Sequence, residues 1–141
     1  MSNAVKVTNE VSMMSDENWQ IVCKVADLES EWGEAALFGT EQIAVFKAWD
    51  DAIYITSNID PRTEQGVMSR GIVGDHEVDG ERRPTIASPL YKESYDLATG
   101  HCYTTSNFRL PVYASRVSED GVLEVDLNSK TDAVSKALPQ R

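Results

Sequence analysis

Four side chains in this sequence are thiols or imidazoles, the types that bind a soft metal and also serve as nucleophile or base: Cys23, His76, His101 and Cys102. Two thiols and two imidazoles are the ligand inventory of a mixed-ligand [2Fe–2S] centre. Their order argues against such a site. The centre takes its ligands as two short thiol–imidazole pairs, so that two loops pinch one cluster. Here Cys23 and His76 each stand alone, and His101 and Cys102 are adjacent. On a strand, that adjacency sends the two side chains to opposite faces. Both thiols read as reduced and partly buried, with a disulfide between them the lesser alternative.

Other chemistries are no better supplied. A hydrolytic triad needs a nucleophile set against one of the two histidines, and no serine sits in a nucleophile-elbow pattern. His76 reads as a solvated loop residue. The acidic run Asp75-His76-Glu77 with Asp79 and Asp60 has metal-ligand types, yet its spacing closes no ligand set. Gly71-Ile72-Val73-Gly74 lacks the third glycine and the following helix of a dinucleotide fingerprint.

The elements that would position a site are short and β-like. Trp19–Cys23, Ala35–Phe38, Gln42–Ala48 and Ala52–Thr56 are rich in strand formers, and Gly39-Thr40 breaks the second from the third as a hairpin turn. Asp27-Leu28-Glu29 reads as a turn or a single helical turn. Residues 58–84 read as a long polar connection, of the length that tends to be functional. Strands resume at Thr85–Ala87, Ser94–Leu97 and His101–Thr104, with a turn at 96–100 ending in Gly100. A last hairpin, Val112–Val117 and Val122–Val125, turns at Glu119-Asp120-Gly121. Trp19, Phe38, Phe46 and Tyr54 are the expected core aromatics, whereas Trp32 and Trp49 lie near turns. This spacing predicts an all-β sandwich or barrel. Residues 1–15 have no periodic apolar pattern and read as a disordered leader, 16–126 as the domain, and 127–141 as a flexible tail.

Composition bounds the function classes. The 141 residues are 41% hydrophobic, enough for one domain with a real core. With 23 acidic and 13 basic residues the net charge is −10, which repels nucleic-acid phosphate. No apolar run approaches the roughly 20 residues that span a bilayer, and no basic-then-apolar signal opens the chain. The expectation is a cytoplasmic protein with neither nucleic-acid nor membrane partners.

Two loops carry a resemblance. Asp60-Pro61-Arg62 and Ser88-Pro89-Leu90-Tyr91, the latter followed by Tyr95-Asp96-Leu97-Ala98-Thr99-Gly100, resemble the cluster loops of Rieske domains, which read Cys-Pro-His and Cys-Pro-x-His before an aromatic-Asp-Leu-x-Thr-Gly turn. Carried over position by position, the ligand places hold Asp60, Arg62, Ser88 and Tyr91. Sulfide-bridged iron wants thiolate and imidazole; Arg62 has no lone pair to give, and the serine and tyrosine hydroxyls are poor donors. Asn58-Ile59-Asp60-Pro61, Ser69-Arg70-Gly71-Ile72-Val73-Gly74-Asp75 and Ala87-Ser88-Pro89-Leu90-Tyr91-Lys92 are similar to the small subunit of the assimilatory NADH-dependent nitrite reductase. One departure is Arg62, where that family commonly has an aromatic residue.

The resemblance implies an all-β, Rieske-like sandwich or barrel without its cluster. It further implies a small, cofactor-free subunit that is not itself catalytic. The expected partner is a nitrite reductase large subunit carrying siroheme, [4Fe–4S] and FAD, which reduces nitrite to ammonia with NADH as donor. The alternative is a cluster-free Rieske-like binding module of another oxidoreductase. Candidate partner contacts are Arg70, Asp75, Tyr91 and Lys92, by residue type and loop position. An Arg70–Asp75 ion pair that merely braces the loop is the competing role.

Overall fold

The computed structural model describes residues 18–105 and 107–133, and all statements of structure concern these. The expected leader, residues 1–15, lies outside them. Nine strands form two antiparallel sheets: β1 (Trp19–Lys24), β2 (Gly33–Phe38), β3 (Glu41–Lys47), β4 (Ile53–Ser57), β5 (Ile72–Val78), β6 (Glu81–Ala87), β7 (Ser94–Asp96), β8 (Val112–Val117) and β9 (Val122–Asp126). The larger sheet runs β1-β9-β8-β4-β3-β2 and the smaller β5-β6-β7. The all-β expectation holds.

Strand β3 explains why the two sheets pack as one body. Ile43 and Val45 face a core closed by Leu28, Ile55, Tyr113, Leu123 and Val125. Ala44 and Phe46, on the other face of the pleat, join Met68, Val73, Ile86, Tyr95, Leu97 and Leu110 against the smaller sheet. A strand buried on both faces reads as an unbroken apolar run rather than an alternating one, which is what Ile43-Ala44-Val45-Phe46 is. Of the expected core aromatics, Phe46 is fully buried, while Trp19, Phe38 and Tyr54 are half-buried. Trp32 is exposed, and Trp49 is covered by the Arg82 guanidinium, 3.7 Å from its ring.

Residues 58–84 are not a continuous loop. They contain a short 3₁₀ turn, Met68–Arg70, then β5, then the first half of β6. β5 and β6 are joined through Asp79-Gly80, both at positive φ (52° and 82°), with Val78 opposite Glu81. That is a two-residue hairpin turn of the type favoured by Asp-Gly. The alternation failed to reveal it because the hairpin projects into solvent: from Asp75 to Arg82 every residue is exposed. His101–Thr104, expected as a strand, makes only single bridges, Tyr95 to Cys102 and His101 to Arg109, although Cys102 is buried and His101 exposed as alternation requires. The expected turn at 27–29 lies two residues earlier, as a 3₁₀ turn at Val25–Asp27. The start of the expected tail is docked: Ser129 Oγ accepts from Ala114 N at 2.7 Å, and Thr131 Oγ1 accepts from Val112 N at 2.9 Å.

The Asp96-Leu97-Ala98-Thr99-Gly100 turn is organised by one buried carboxylate. Asp96 accepts from Arg83 Nε (3.0 Å) and Nη2 (3.2 Å), Tyr103 Oη (2.6 Å), Ala98 N (2.8 Å) and Thr99 N (3.0 Å). Burial works to raise this carboxyl, but the hydrogen bonds from Arg83, Tyr103 and the two backbone amides outweigh it and hold it below the usual range. Gly100 closes the turn at φ +82°, where a Cβ would sit 1.9 Å from the Leu110 carbonyl oxygen, so only glycine fits.

A carboxyl depressed in the folded state contributes stability that is present above its unfolded value, about 3.9, and is lost as pH falls through the lower folded value. Asp96→Asn is therefore expected to cost about 2–3 kcal/mol at neutral pH, the scale of charge-assisted bonds to a buried acceptor. The deficit should shrink as the wild-type carboxyl protonates. Urea unfolding of both proteins at pH 7 and pH 3 checks this; an equal deficit at both would contradict it.

Candidate functional site

The two loops that carry the resemblance meet at one end of the molecule, and they are conformational twins. The first follows β4 and the second follows β6. In the first, Asp60 N donates to Gln65 O (2.7 Å) and Glu64 N to Asp60 O (2.6 Å); in the second, Ser88 N donates to Glu93 O (2.9 Å) and Lys92 N to Ser88 O (2.9 Å). The fifth residue of each, Glu64 and Lys92, has φ of 63°. The side chain of the first residue turns back on its own loop in both, Asp60 Oδ1 accepting from Arg62 N (2.8 Å) and Ser88 Oγ from Leu90 N (3.3 Å). Asp and Ser both cap turns in this way, so the two residues expected at thiolate places have the same turn-forming role in this chain.

Across the junction the ligand positions pair crosswise. The two thiolate places bond to each other, Ser88 Oγ donating to Asp60 Oδ2 at 2.5 Å, with both residues buried. The two imidazole places also meet: the Arg62 guanidinium lies 4.2 Å from the centroid of the Tyr91 ring, a cation–π contact. Arg62 Nη1 in turn donates to Glu93 Oε2 at 2.5 Å. Thr104 Oγ1 donates to Glu93 Oε1 (3.0 Å) and lies 3.3 Å from Cys102 Sγ.

This donor set does not fit a [2Fe–2S] cluster. One place holds a permanent cation, two hold oxygens already engaged with each other, and the fourth is a tyrosine whose ring faces that cation. Beneath the junction lies Tyr95, fully buried, whose hydroxyl has no protein hydrogen-bond partner among the described residues. Burial pushes its phenol up, helped by neighbouring Cys102, Asp60 and Glu93.

The structure sorts the remaining candidates. Lys92 and Tyr91 are exposed on the second loop, and Arg70 is exposed at the end of the 3₁₀ turn. That turn is tied to the root of the first loop through Met68 N to Asn58 O (3.0 Å) and Ser69 N to Asn58 Oδ1 (2.7 Å). Asp75 is out on the β5–β6 hairpin and pairs with Arg82 at 2.7 Å, so the Arg70–Asp75 brace does not form. His76 belongs to β5 rather than to a loop, and its ring stacks on Tyr103 at 4.1 Å. Among the described residues no three His, Cys, Asp or Glu side chains are grouped to hold a metal. Cys23 and Cys102 are both free thiols. Burial, then Asp27 and Glu34, pushes the Cys23 thiol up, which suits an unreactive side chain.

Sequence reasoning missed Glu93. It is buried, orients Arg62 and is the outer anchor of the second loop. Its one signal was a lone carboxylate between a proline-containing loop and a strand, where only an internal cation justifies burial.

Ser88→Ala would leave the Asp60 carboxylate buried without its cross-loop donor, at an expected cost of about 2 kcal/mol. Asp60→Ala with Ser88→Ala should cost less than the sum of the two single changes, because the same bond is removed in each. Denaturant unfolding of the four proteins measures the coupling; strict additivity would show that the loops do not depend on this bond.

Comparisons with known proteins bear on this geometry. A Rieske-like [2Fe–2S] domain family matches residues 18–126. The NADH nitrite reductase small subunit of Escherichia coli K12 is 39% identical over 108 residues, which are 76% of this chain and 95% of that protein. The solution structure of the nitrite reductase [NAD(P)H] small subunit of Erwinia carotovora superposes with a TM-score of 0.63 at 33% identity, covering 88% of this chain and 92% of that one. A stretch amounting to 8% of the nitrite reductase [NAD(P)H] large subunit of Klebsiella oxytoca is 38% identical to 82 residues, 58%, of this chain.

Proposed function

The chain belongs to the Rieske-like [2Fe–2S] domain family, among the nitrite reductase small subunits, and from that premise we propose that it is the cofactor-free small subunit of an NADH-dependent nitrite reductase. It supports the reduction of nitrite to ammonia by a cytoplasmic large subunit that carries siroheme, [4Fe–4S] and FAD. Its part is to dock on that subunit and stabilise it, and none of its own residues is catalytic. The observation that carries the reading is the match along nearly the whole length of the Escherichia coli small subunit, combined with ligand places filled by residues that bond to one another.

The Klebsiella oxytoca relative adds support for the partner. A domain like this one, set inside a large-subunit chain, is held at a high effective concentration beside the rest of that chain. A free subunit doing the same work would bind one-to-one and stay bound, unlike a carrier that shuttles between partners.

Co-expression with the nitrite reductase large subunit of the same genome tests the proposal. The expected result is a stable one-to-one complex in which the small subunit, once separated, is colourless and free of iron. The large subunit alone should lose NADH-dependent nitrite turnover or thermal stability. Full turnover and normal stability without the small subunit would overturn the docking role. Capture of a siroheme-free oxidoreductase from the native host, in place of nitrite reductase, would favour a binding module of another complex.

A further inference from the structure

We propose that the open seam of the larger sheet, along the free edge of β2, is a docking site for a basic extended segment of a partner protein, which adds to β2 as a further strand. The acidic cleft beside that edge takes a lysine or arginine side chain of the segment. The inference uses neither the paired-loop end nor the subunit reading, and it is tested apart from them.

The sheet order leaves two edges. Among the described residues β1 bonds only to β9 and β2 only to β3, so the six-stranded sheet does not close on itself. The two edges approach each other across a cleft of about 260 Å³, lined by Val22 of β1, Ala36 of β2, Val45 of β3 and Leu28, together with the exposed Asp27 and Glu34. On β2 the direction of bonding follows from the turn. Phe38 and Glu41 flank the two-residue Gly39-Thr40 turn, which makes them a hydrogen-bonded pair. Bonding to β3 then falls on Phe38, Ala36 and Glu34, and the amides and carbonyls of Ala35 and Leu37, both exposed residues, point to the open side. Such an edge of unpaired backbone groups is a template for strand addition.

The charge along this edge says which kind of strand it takes. Asp27, Glu29, Glu31 and Glu34 are four acids within eight residues that include no base. All four are exposed and make no ion pair among the described residues, and Lys24 and Lys47 of the neighbouring strands pair with none of them. Burial, then Asp27 and Glu34, pushes up the Cys23 thiol beside the cleft, so the potentials of these two carboxylates converge there. A second copy of this chain would bring the same acids against them, and like charges across paired strands are unfavourable. A cationic segment meets the opposite situation. The apolar stem of its lysine or arginine lies along Val22, Ala36 and Val45 while the charged head reaches Asp27 and Glu34. Trp32, 58% exposed at the entry to β2, offers its ring to a second cation of the same segment.

The probe is an acetylated and amidated peptide of four Lys-Val repeats, titrated into the full chain at low and raised salt with binding followed by calorimetry. It should bind, more weakly as salt rises, and should protect the Ala35 and Leu37 amides from hydrogen exchange. D27N/E34Q should bind it about tenfold more weakly at low salt. E77Q/D79N, which removes two exposed acids from the β5–β6 hairpin, should bind like wild type. Ala35→Pro takes away an outward amide, a change that edge strands tolerate, and should lose binding with unchanged far-ultraviolet circular dichroism. A Lys-Pro peptide of equal charge, short of the amides a strand needs, should not bind. The proposal is overturned if the Lys-Val peptide does not bind, if the two peptides bind equally, or if D27N/E34Q and E77Q/D79N weaken binding to the same extent. A wild-type dimer that Ala35→Pro dissociates would assign the edge to a second copy and overturn it likewise. None of these outcomes bears on the nitrite reductase reading, which the co-expression experiment tests.

Discussion

The Asp60 carboxyl group is buried where two loops meet, and a buried polar group is tolerated only where hydrogen-bond partners are built around it. Those donors are its own loop's Arg62 amide and the Ser88 hydroxyl of the other loop. The second donor is available only when the β4 and β6 ends are brought side by side. Strand β3 brings them there by burying one face in each of the two cores, so that the small sheet rides on the large one. Core, sheets and loop end are in this sense one system. The packing puts the two loops in register, and the polar bond at their junction then fixes that register.

The twin geometry does not depend on the two loops sharing the same first side chain. Each loop is defined by the same three backbone positions: an amide and a carbonyl at its first residue, and a left-handed residue at its fifth. None of these depends on which side chain stands first, provided that side chain can accept a bond from the amide two residues on. Aspartate and serine both can. What changes is the cross-loop link. A hydrogen bond to a charged group contributes about 1.5–3 kcal/mol, and a partly exposed cation–π contact about 0.5–1 kcal/mol. These are modest forces, and they suffice because the loops are already placed by the sheets.

Legibility in the sequence followed burial. β3, β4 and the β8–β9 hairpin were read nearly to their ends because their apolar residues have nowhere else to go. The β5–β6 hairpin was read as loop because its outer half is solvated on both faces, and solvated strands lack the alternation that betrays them; only Asp79-Gly80 announced the turn. The 101–104 stretch had strand-like alternation but lacks a partner strand to complete a ladder, since single bridges are all its neighbours allow. Among the site residues, Asp60, Arg62, Ser88 and Tyr91 were singled out through the frame around Pro61 and Pro89, and the structure brings them together. Glu93 was missed, because its one signal, a lone carboxylate after the Pro89 loop, is intelligible only once its cation is seen beside it. Asp75 was legible as a charged residue near a glycine-rich stretch, but its partner, Arg82, is set by hairpin register and not by sequence distance.

The same physics separates the two kinds of charge on this molecule. Arg83 is spent inward: its donors go to Asp96, which raises its own hold on the proton and lowers that of the carboxyl. Neither group has much left to offer a partner, so the Asp96 turn is architecture even though it is the most family-like motif in the chain. Arg62 is only half spent. One of its five donors reaches Glu93, its face lies on Tyr91, and 41% of its side chain stays accessible. A residue that is fixed in place yet still has donors and area exposed is suited to recognition, because the ordering cost was met during folding. The paired loops thus serve as a support and present at their edge a tyrosine and a guanidinium already held in position.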